Sequence, residues 1–190
     1  MSTPVLTIIA GPNGSGKSTL TSSAREIFQQ APVLDPDAIV KSLQETITPN
    51  HSDMEAGRRV LLLAEELIAS RQSFTVETTL SGNTYLRMAS RAKAAGFSIM
   101  VVFVGTSSVE INIERVKARV EKGGHDVPEE VQRRRFPRTL KNMKKLLPDA
   151  DLAVVLDNSS ESGYVLVAFG SKGNLHWNEP VPEWAAQLRS

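Results

Sequence analysis

Gly11-Pro12-Asn13-Gly14-Ser15-Gly16-Lys17-Ser18 follows the apolar run Val5-Leu6-Thr7-Ile8-Ile9-Ala10 and opens into a helical pattern. This is a complete G-x-x-x-x-G-K-[ST] phosphate loop in the strand-to-helix setting that gives the motif its meaning. Its glycines let the backbone turn so that successive N–H groups converge on phosphate oxygens. The helix N-terminus adds partial positive charge from Gly16 onward. Lys17 then supplies a point charge to the outer phosphates, and the Ser18 hydroxyl a ligand for Mg²⁺. Gly11, Pro12, Asn13, Gly14, Ser15, Gly16, Lys17, Ser18 and Thr19 are therefore candidate contacts to a nucleoside triphosphate. The chain has no N-K-x-D guanine motif, so ATP is expected over GTP.

The rest of the chain alternates strand and helix patterns. Helical spacing runs from Lys17 to Gln30, followed by a short strand at Pro32–Asp35 and a brief helix at Asp37–Leu43. A longer helix is predicted over Glu55–Arg71, a third strand over Ser73–Glu77, and a helix over Thr84–Ala95 closed by Gly96. Phe97–Gly105 is apolar enough to be buried on both faces. Ser107 and Glu110 read as a capping box for the helix reaching Lys122. Another helix starts near Asp126 and reaches about Leu147, ahead of a fifth strand at Asp151–Asp157. Tyr164–Phe169 and Asn174–Trp177 form a hairpin pattern around Gly170–Gly173, with a peripheral tail behind it.

The expected fold class is thus α/β: a P-loop NTPase built as a three-layer sandwich, with a mainly parallel five-stranded core sheet and helices on both faces. At 190 residues a single domain, 1–190, is expected, with an Arg-rich helical lid over roughly 107–147 and a peripheral hairpin and tail over 163–190. There is no cysteine, which excludes disulfides and thiolate chemistry and fits a reducing cytoplasm. No signal segment or run of transmembrane length is expected, hence no membrane partner. The net charge of +1 gives no global field for nucleic acid.

In such a sheet, ligands bind at the carboxyl ends of the strands. Asp37, just past the second strand, could accept the proton of a substrate hydroxyl as it attacks a γ-phosphate, or could cap the following helix. Glu77 and Thr79 end the third strand, where a carboxylate can hold a Mg²⁺-bound water or bind a polar substrate. Either residue could instead be no more than a surface strand end. Asn158 lies at the end of the fifth strand and is a further nucleotide contact.

Eleven of the 22 Lys and Arg residues fall between Arg115 and Lys145. Arg115 and Arg119 share a helix face, and Arg133, Arg134 and Arg135 follow beyond Gly123-Gly124-His125. Two helices joined by a Gly-Gly hinge suggest a cover closing over phosphates, with arginines bridging the transferring group. Arg115 and Arg134 are the candidate catalytic arginines beside Lys17 and Asp37, and Arg119 a nucleotide contact. The lysines of this stretch read as solvated helix faces. Phe136 alone makes no stacking platform, which argues against nucleic acid. Ser81-Gly82 and the strand ending at Asp157 echo transporter-motor motifs, but the spacing is too long and no Glu follows Asp157. His51, His125 and His176 have no metal-ligand spacing.

With Gly11–Ser18, Asp35-Pro36-Asp37, Glu77-Thr78-Thr79, Arg115 and Gly123–Pro128 in this order, the chain resembles the zeta-toxin family of P-loop kinases over Val5 to Ser159. It is most similar to the short bacterial branch described as predicted ATPases. The resemblance implies an ATP-dependent kinase that phosphorylates the 3′-hydroxyl of UDP-N-acetylglucosamine, and a small helical antitoxin as partner. It implies that Lys17 and Ser18 are the phosphate-loop residues, Asp37 the base, Glu77 and Thr79 substrate contacts, and Arg115 a phosphate-binding lid residue. Two positions depart from the pattern. Leu61 stands near a family substrate-contacting Glu, with Glu65 and Glu66 out of register, and His125 stands near a second lid arginine that Arg133, Arg134 or Arg135 would replace. Other expectations compatible with the residues are a different acceptor (a nucleotide, nucleic-acid end or antibiotic) or a non-enzymatic ATP-binding regulatory module.

Overall fold

The computed structural model describes residues 2–24, 31–35 and 49–189. Among them the strands form one sheet in the order β2-β3-β1-β4-β5-β6-β7. These are β1 (Val5–Ala10), β2 (Val33–Leu34), β3 (Phe74–Thr78), β4 (Ser98–Gly105), β5 (Leu152–Asp157), β6 (Val165–Ser171) and β7 (Asn174–Trp177). The helices are α1 (Lys17–Ser23), α2 (Pro49–Ala69), α3 (Thr84–Ala94), α4 (Val109–Glu121), α5 (Glu129–Leu146) and α6 (Glu183–Ala186), with a 3-10 turn at Leu147–Asp149.

The first five strands pair in parallel, as the alternating pattern predicts. β1 lies between β3 and β4 and is buried along nearly its whole length, which is why its sequence is almost continuously apolar. The chain goes to one side of β1 for β2 and β3 and to the other for β4 and β5. That reversal opens a crevice at the carboxyl end of β1.

The two faces are covered differently. Leu6, Ile8, Phe74, Val76, Ile99, Val101, Phe103, Ala153 and Val155 face the main core, filled by α2, α3, α5 and α6. Ile9 and Val102 face the other way, against Leu20 and Ala24 at α1 and its C-cap.

Three features differ from the sequence expectation. The predicted hairpin is not peripheral: β6 pairs antiparallel with β5 and extends the sheet, with a register shift at Val155/Leu156. Its turn is the two-residue Lys172-Gly173, with φ of 50° and 79°, the left-handed geometry that tight hairpins need. Nor is the tail peripheral, because Trp184 of α6 is 5% exposed and packs 5.9 Å from Phe103. The cap of α4 is Ser108, not Ser107; Ser108 Oγ accepts from Ile111 N, while Ser107 N donates to Ser159 Oγ.

The C-terminal half of α5 belongs to the body of the protein. Leu140, Met143 and Leu146 sit in the main core. On the same stretch of helix, Thr139 Oγ1 donates to Thr79 O at 2.7 Å and Asn142 Nδ2 to Leu80 O at 2.9 Å. The predicted helix Asp37–Leu43 lies outside the described residues.

Candidate active site

The phosphate loop is built between β1 and α1 and anchored at its start to β3, where Gly11 N donates to Thr78 O. Gly16, the N-cap of α1, has φ 99° and ψ 14°, a left-handed conformation that strains any residue with a Cβ. Lys17 is buried, and its ammonium donates to Pro12 O at 2.9 Å across the loop. Ser15 is fully buried and its Oγ has no hydrogen-bond partner.

Ser18 and Glu77 meet at the floor of the site. Ile9 pairs with Glu77 in the sheet register, so the carboxylate emerges beside the start of the loop. Glu77 is 6% exposed, accepting from Ser18 Oγ at 2.6 Å and from Thr21 Oγ1 at 3.3 Å. Thr79 lies just beyond, its hydroxyl 3.0 Å from Ser81 Oγ. Leu80 then has φ 55° although it is a buried non-glycine residue, and Thr78 Oγ1 accepts its N–H. Such a conformation is costly, and here it is held by the polar contacts from α5.

The opposite wall comes from α4 and the β5–β6 connection. Arg115 Nη1 donates to Asn158 O at 2.7 Å, and Asn158 Nδ2 donates to Ser15 O at 2.8 Å. Tyr164 Oη donates to Gly16 O at 2.6 Å. Burial pushes the Tyr164 phenol above its ordinary pKa, against the pull of the Arg115 charge. Arg119 Nη2 donates to His125 O at 2.7 Å, folding the Gly123-Gly124 turn back onto α4. Together these groups line a cleft of about 750 Å³ that includes Asn13, Lys17, Ser18, Thr19, Glu77 and Arg119.

The three consecutive arginines separate around α5. Arg133 is engaged by Glu110 and Glu129 on the surface. Arg134, the expected lid arginine, is exposed and lies outside the cleft lining. Arg135 faces the loop instead, its Nη1 3.5 Å from Asn13 Oδ1. Successive helix residues are about 100° apart, so one position decides which arginine turns toward the loop, although Arg135, like Arg134, does not line the cleft itself. The histidine side chain of His125 is exposed and contributes only its carbonyl. Asp37 lies outside the described residues. Tyr164 was not legible as a site residue, because only the β5–β6 register, with Val165 opposite Asp157, returns it to the loop.

Residues 1–164 match the zeta-toxin family, most of the chain and every site element above. The chain belongs to the zeta-toxin family. With the family goes its enzyme class, ATP-dependent kinase. An uncharacterised protein of Haemophilus influenzae is 38% identical over 126 residues, 66% of this chain and 88% of its own length. Among solved structures, a chain of the AvrRxo1-ORF1:AvrRxo1-ORF2 complex with sulphate ions superimposes over 99% of this zeta-toxin relative at a TM-score of 0.76 and 17% identity. The same complex with ATP gives 0.74 and 18%. This chain spans only 64% of those chains. A chain of the PezAT chromosomal toxin-antitoxin system of Streptococcus pneumoniae matches 89% of this chain and 72% of its own length, at a TM-score of 0.65 and 16% identity. These structures share the fold.

Among the described residues no helix is long and apolar enough to cross a membrane.

Proposed function

We propose that the chain transfers the γ-phosphate of ATP to a hydroxyl of a small molecule, with a sugar nucleotide of the UDP-N-acetylglucosamine kind as the first candidate. The observation that carries this reading is the junction of Ser18 with Glu77 at the mouth of a complete phosphate loop. Lys17 and the loop amides grip the triphosphate, and Arg115, with Arg119 one turn further along α4, faces the charge that develops during transfer. Asp37 takes the proton of the acceptor hydroxyl. The acceptor oxygen bonds to the γ-phosphorus, the bond from that phosphorus to the β–γ bridging oxygen breaks, and ADP leaves with the electron pair.

The oxygens of Ser18 and Glu77 are the hard donors that suit Mg²⁺. Among the described residues no three His, Asp or Glu side chains gather into a metal site, and Mg²⁺ needs only one or two protein oxygens beside phosphate. When bound, the ion supplies charge neutralisation on the β- and γ-phosphate oxygens.

One observation favours a different acceptor. Leu61 is packed against the core, so it offers no hydrogen bond to a sugar. Glu65 is instead paired with Arg91 on the neighbouring helix. A polyhydroxy compound of another class is therefore the second reading. As in the PezAT system, where a toxin has an antitoxin, the chain is further proposed to act as a toxin held by a small protein partner. The test is phosphate transfer from γ-labelled ATP to UDP-N-acetylglucosamine and to a panel of alcohols. Labelled product with the sugar nucleotide supports the first reading, product only with another alcohol the second. ATP binding with no product from any acceptor would sink both.

A further inference from the structure

The loop between β5 and β6 touches the phosphate loop at two consecutive peptide units. Asn158 Nδ2 donates to Ser15 O, and Tyr164 Oη to Gly16 O. A trans peptide points its N–H opposite to its C=O. Fixing these two carbonyls toward the β5–β6 loop therefore turns the N–H groups of Gly16 and Lys17 the other way, toward the concave side where phosphate oxygens sit. Gly16 O also accepts from Leu20 N of α1, so its orientation is held from two sides.

The contact is close enough to dictate sequence. A Cβ on Gly16 would lie 2.5 Å from Asn158 Nδ2 and 3.1 Å from Tyr164 Oη. The last glycine of the motif is thus required by its left-handed backbone and also by the groups packed on it. The same segment holds a cation, because Asn158 O accepts from Arg115 Nη1 at 2.7 Å. The guanidinium and the loop peptides are consequently registered to one another through a single residue.

We propose that Asn158 and Tyr164 are positioning residues for the triphosphate: they aim the Gly16 and Lys17 amides, and Asn158 sets Arg115 at a fixed distance from them. The inference rests on the ATP-binding reading above and names which residues outside the motif tune it. Neither side chain needs to touch the nucleotide for this role. The Tyr164 hydroxyl and the Asn158 amide act through the loop.

The test compares the full-length wild-type protein with Tyr164→Phe and Asn158→Ala, measuring displacement of a fluorescent ATP analogue by ATP, inorganic tripolyphosphate and adenosine. Tyr164→Phe keeps the ring, so folding is checked by an unchanged thermal midpoint. One lost hydrogen bond corresponds to about a three- to tenfold change. Each variant is expected to weaken ATP and tripolyphosphate by the same factor in that range, leaving adenosine unchanged. Equal affinities of wild type and Tyr164→Phe for tripolyphosphate would overturn the proposal. So would a parallel loss for adenosine, which would make Tyr164 a wall for the base. If the wild type bound neither ATP nor tripolyphosphate, the nucleotide reading itself would fall, and the positioning role with it.

Discussion

Ser18 Oγ donates a 2.6 Å hydrogen bond to Glu77 Oε1, joining the second residue of α1 to the end of β3. The two lie 59 positions apart in sequence and are brought together by the parallel pairing of β1 with β3. A nearly buried carboxylate facing the hydroxyl that would ligate Mg²⁺ can hold the water shell of the ion. Glu77→Gln keeps the shape and removes the charge. Its expected effect is a fall in kcat of roughly a hundredfold, with ATP affinity in the absence of metal unchanged. The check is a Mg²⁺ titration of turnover, in which the variant needs more metal for half-maximal rate.

Lys17 and Asp37 separate binding from chemistry. Lys17→Ala removes the buried ammonium beside the loop carbonyls and is expected to reduce ATP affinity and turnover together. Asp37→Ala is expected to leave ATP affinity within about twofold while slowing transfer by roughly 10²–10⁴. Calorimetric titration with ATP and a single-turnover assay distinguish the two. Full transfer by the Asp37 variant would remove it from the role of base.

The loop, the parallel sheet and Glu77 were legible because each depends on short-range pattern: a motif, an apolar run, a strand end. The wall of the cleft was not. Tyr164 reaches Gly16 across 148 positions, and no local spacing announces it. That Arg135 and not Arg134 touches Asn13 depends on the rotation of α5, which is set by burying Leu140, Met143 and Leu146 rather than by the basic run itself. Nor does any local spacing mark Trp184 as a neighbour of Gly105 and Asp157 at the strand ends. The expectation of a peripheral tail failed because a few apolar residues around Pro180 and Pro182 carry little pattern.

That tail should matter for stability. The Trp184 indole covers Gly105 so closely that a Cβ there would sit 2.2 Å from its Cη2. Its Nε1 donates to Asp157 Oδ1 at 2.8 Å, the carboxylate that also receives Ser159 Oγ. Trp184→Ala is expected to cost about 3–5 kcal/mol by emptying a core site. Gly105→Ala should destabilise by about 1–3 kcal/mol through overpacking. In the Trp184→Ala background the Gly105→Ala penalty should nearly vanish, since the clash has gone. Urea denaturation of the four proteins measures this coupling; additive losses would show that the two sites do not communicate.

Arg133 gives the α4–α5 pair its pH dependence. Its guanidinium bonds Glu110 Oε1 at 2.7 Å and Glu129 Oε1 at 2.8 Å, and Lys117 lies 3.4 Å from Glu129. Hydrogen bonds from Arg133 hold both carboxyls below their ordinary 4.5. Carboxyls depressed in the folded state contribute stability that is fully present above the unfolded value and is lost as pH falls through the lowered one. The contribution should therefore be complete at neutral pH and be lost in acid, below the ordinary carboxylate range. These groups are solvent-exposed, so the effect should also shrink in high salt. Thermal midpoints of wild type and Arg133→Gln are expected to differ near pH 7 and to converge toward pH 3. A gap that persisted unchanged at pH 3 would show that Arg133 acts through packing of its stem and not through these carboxylates.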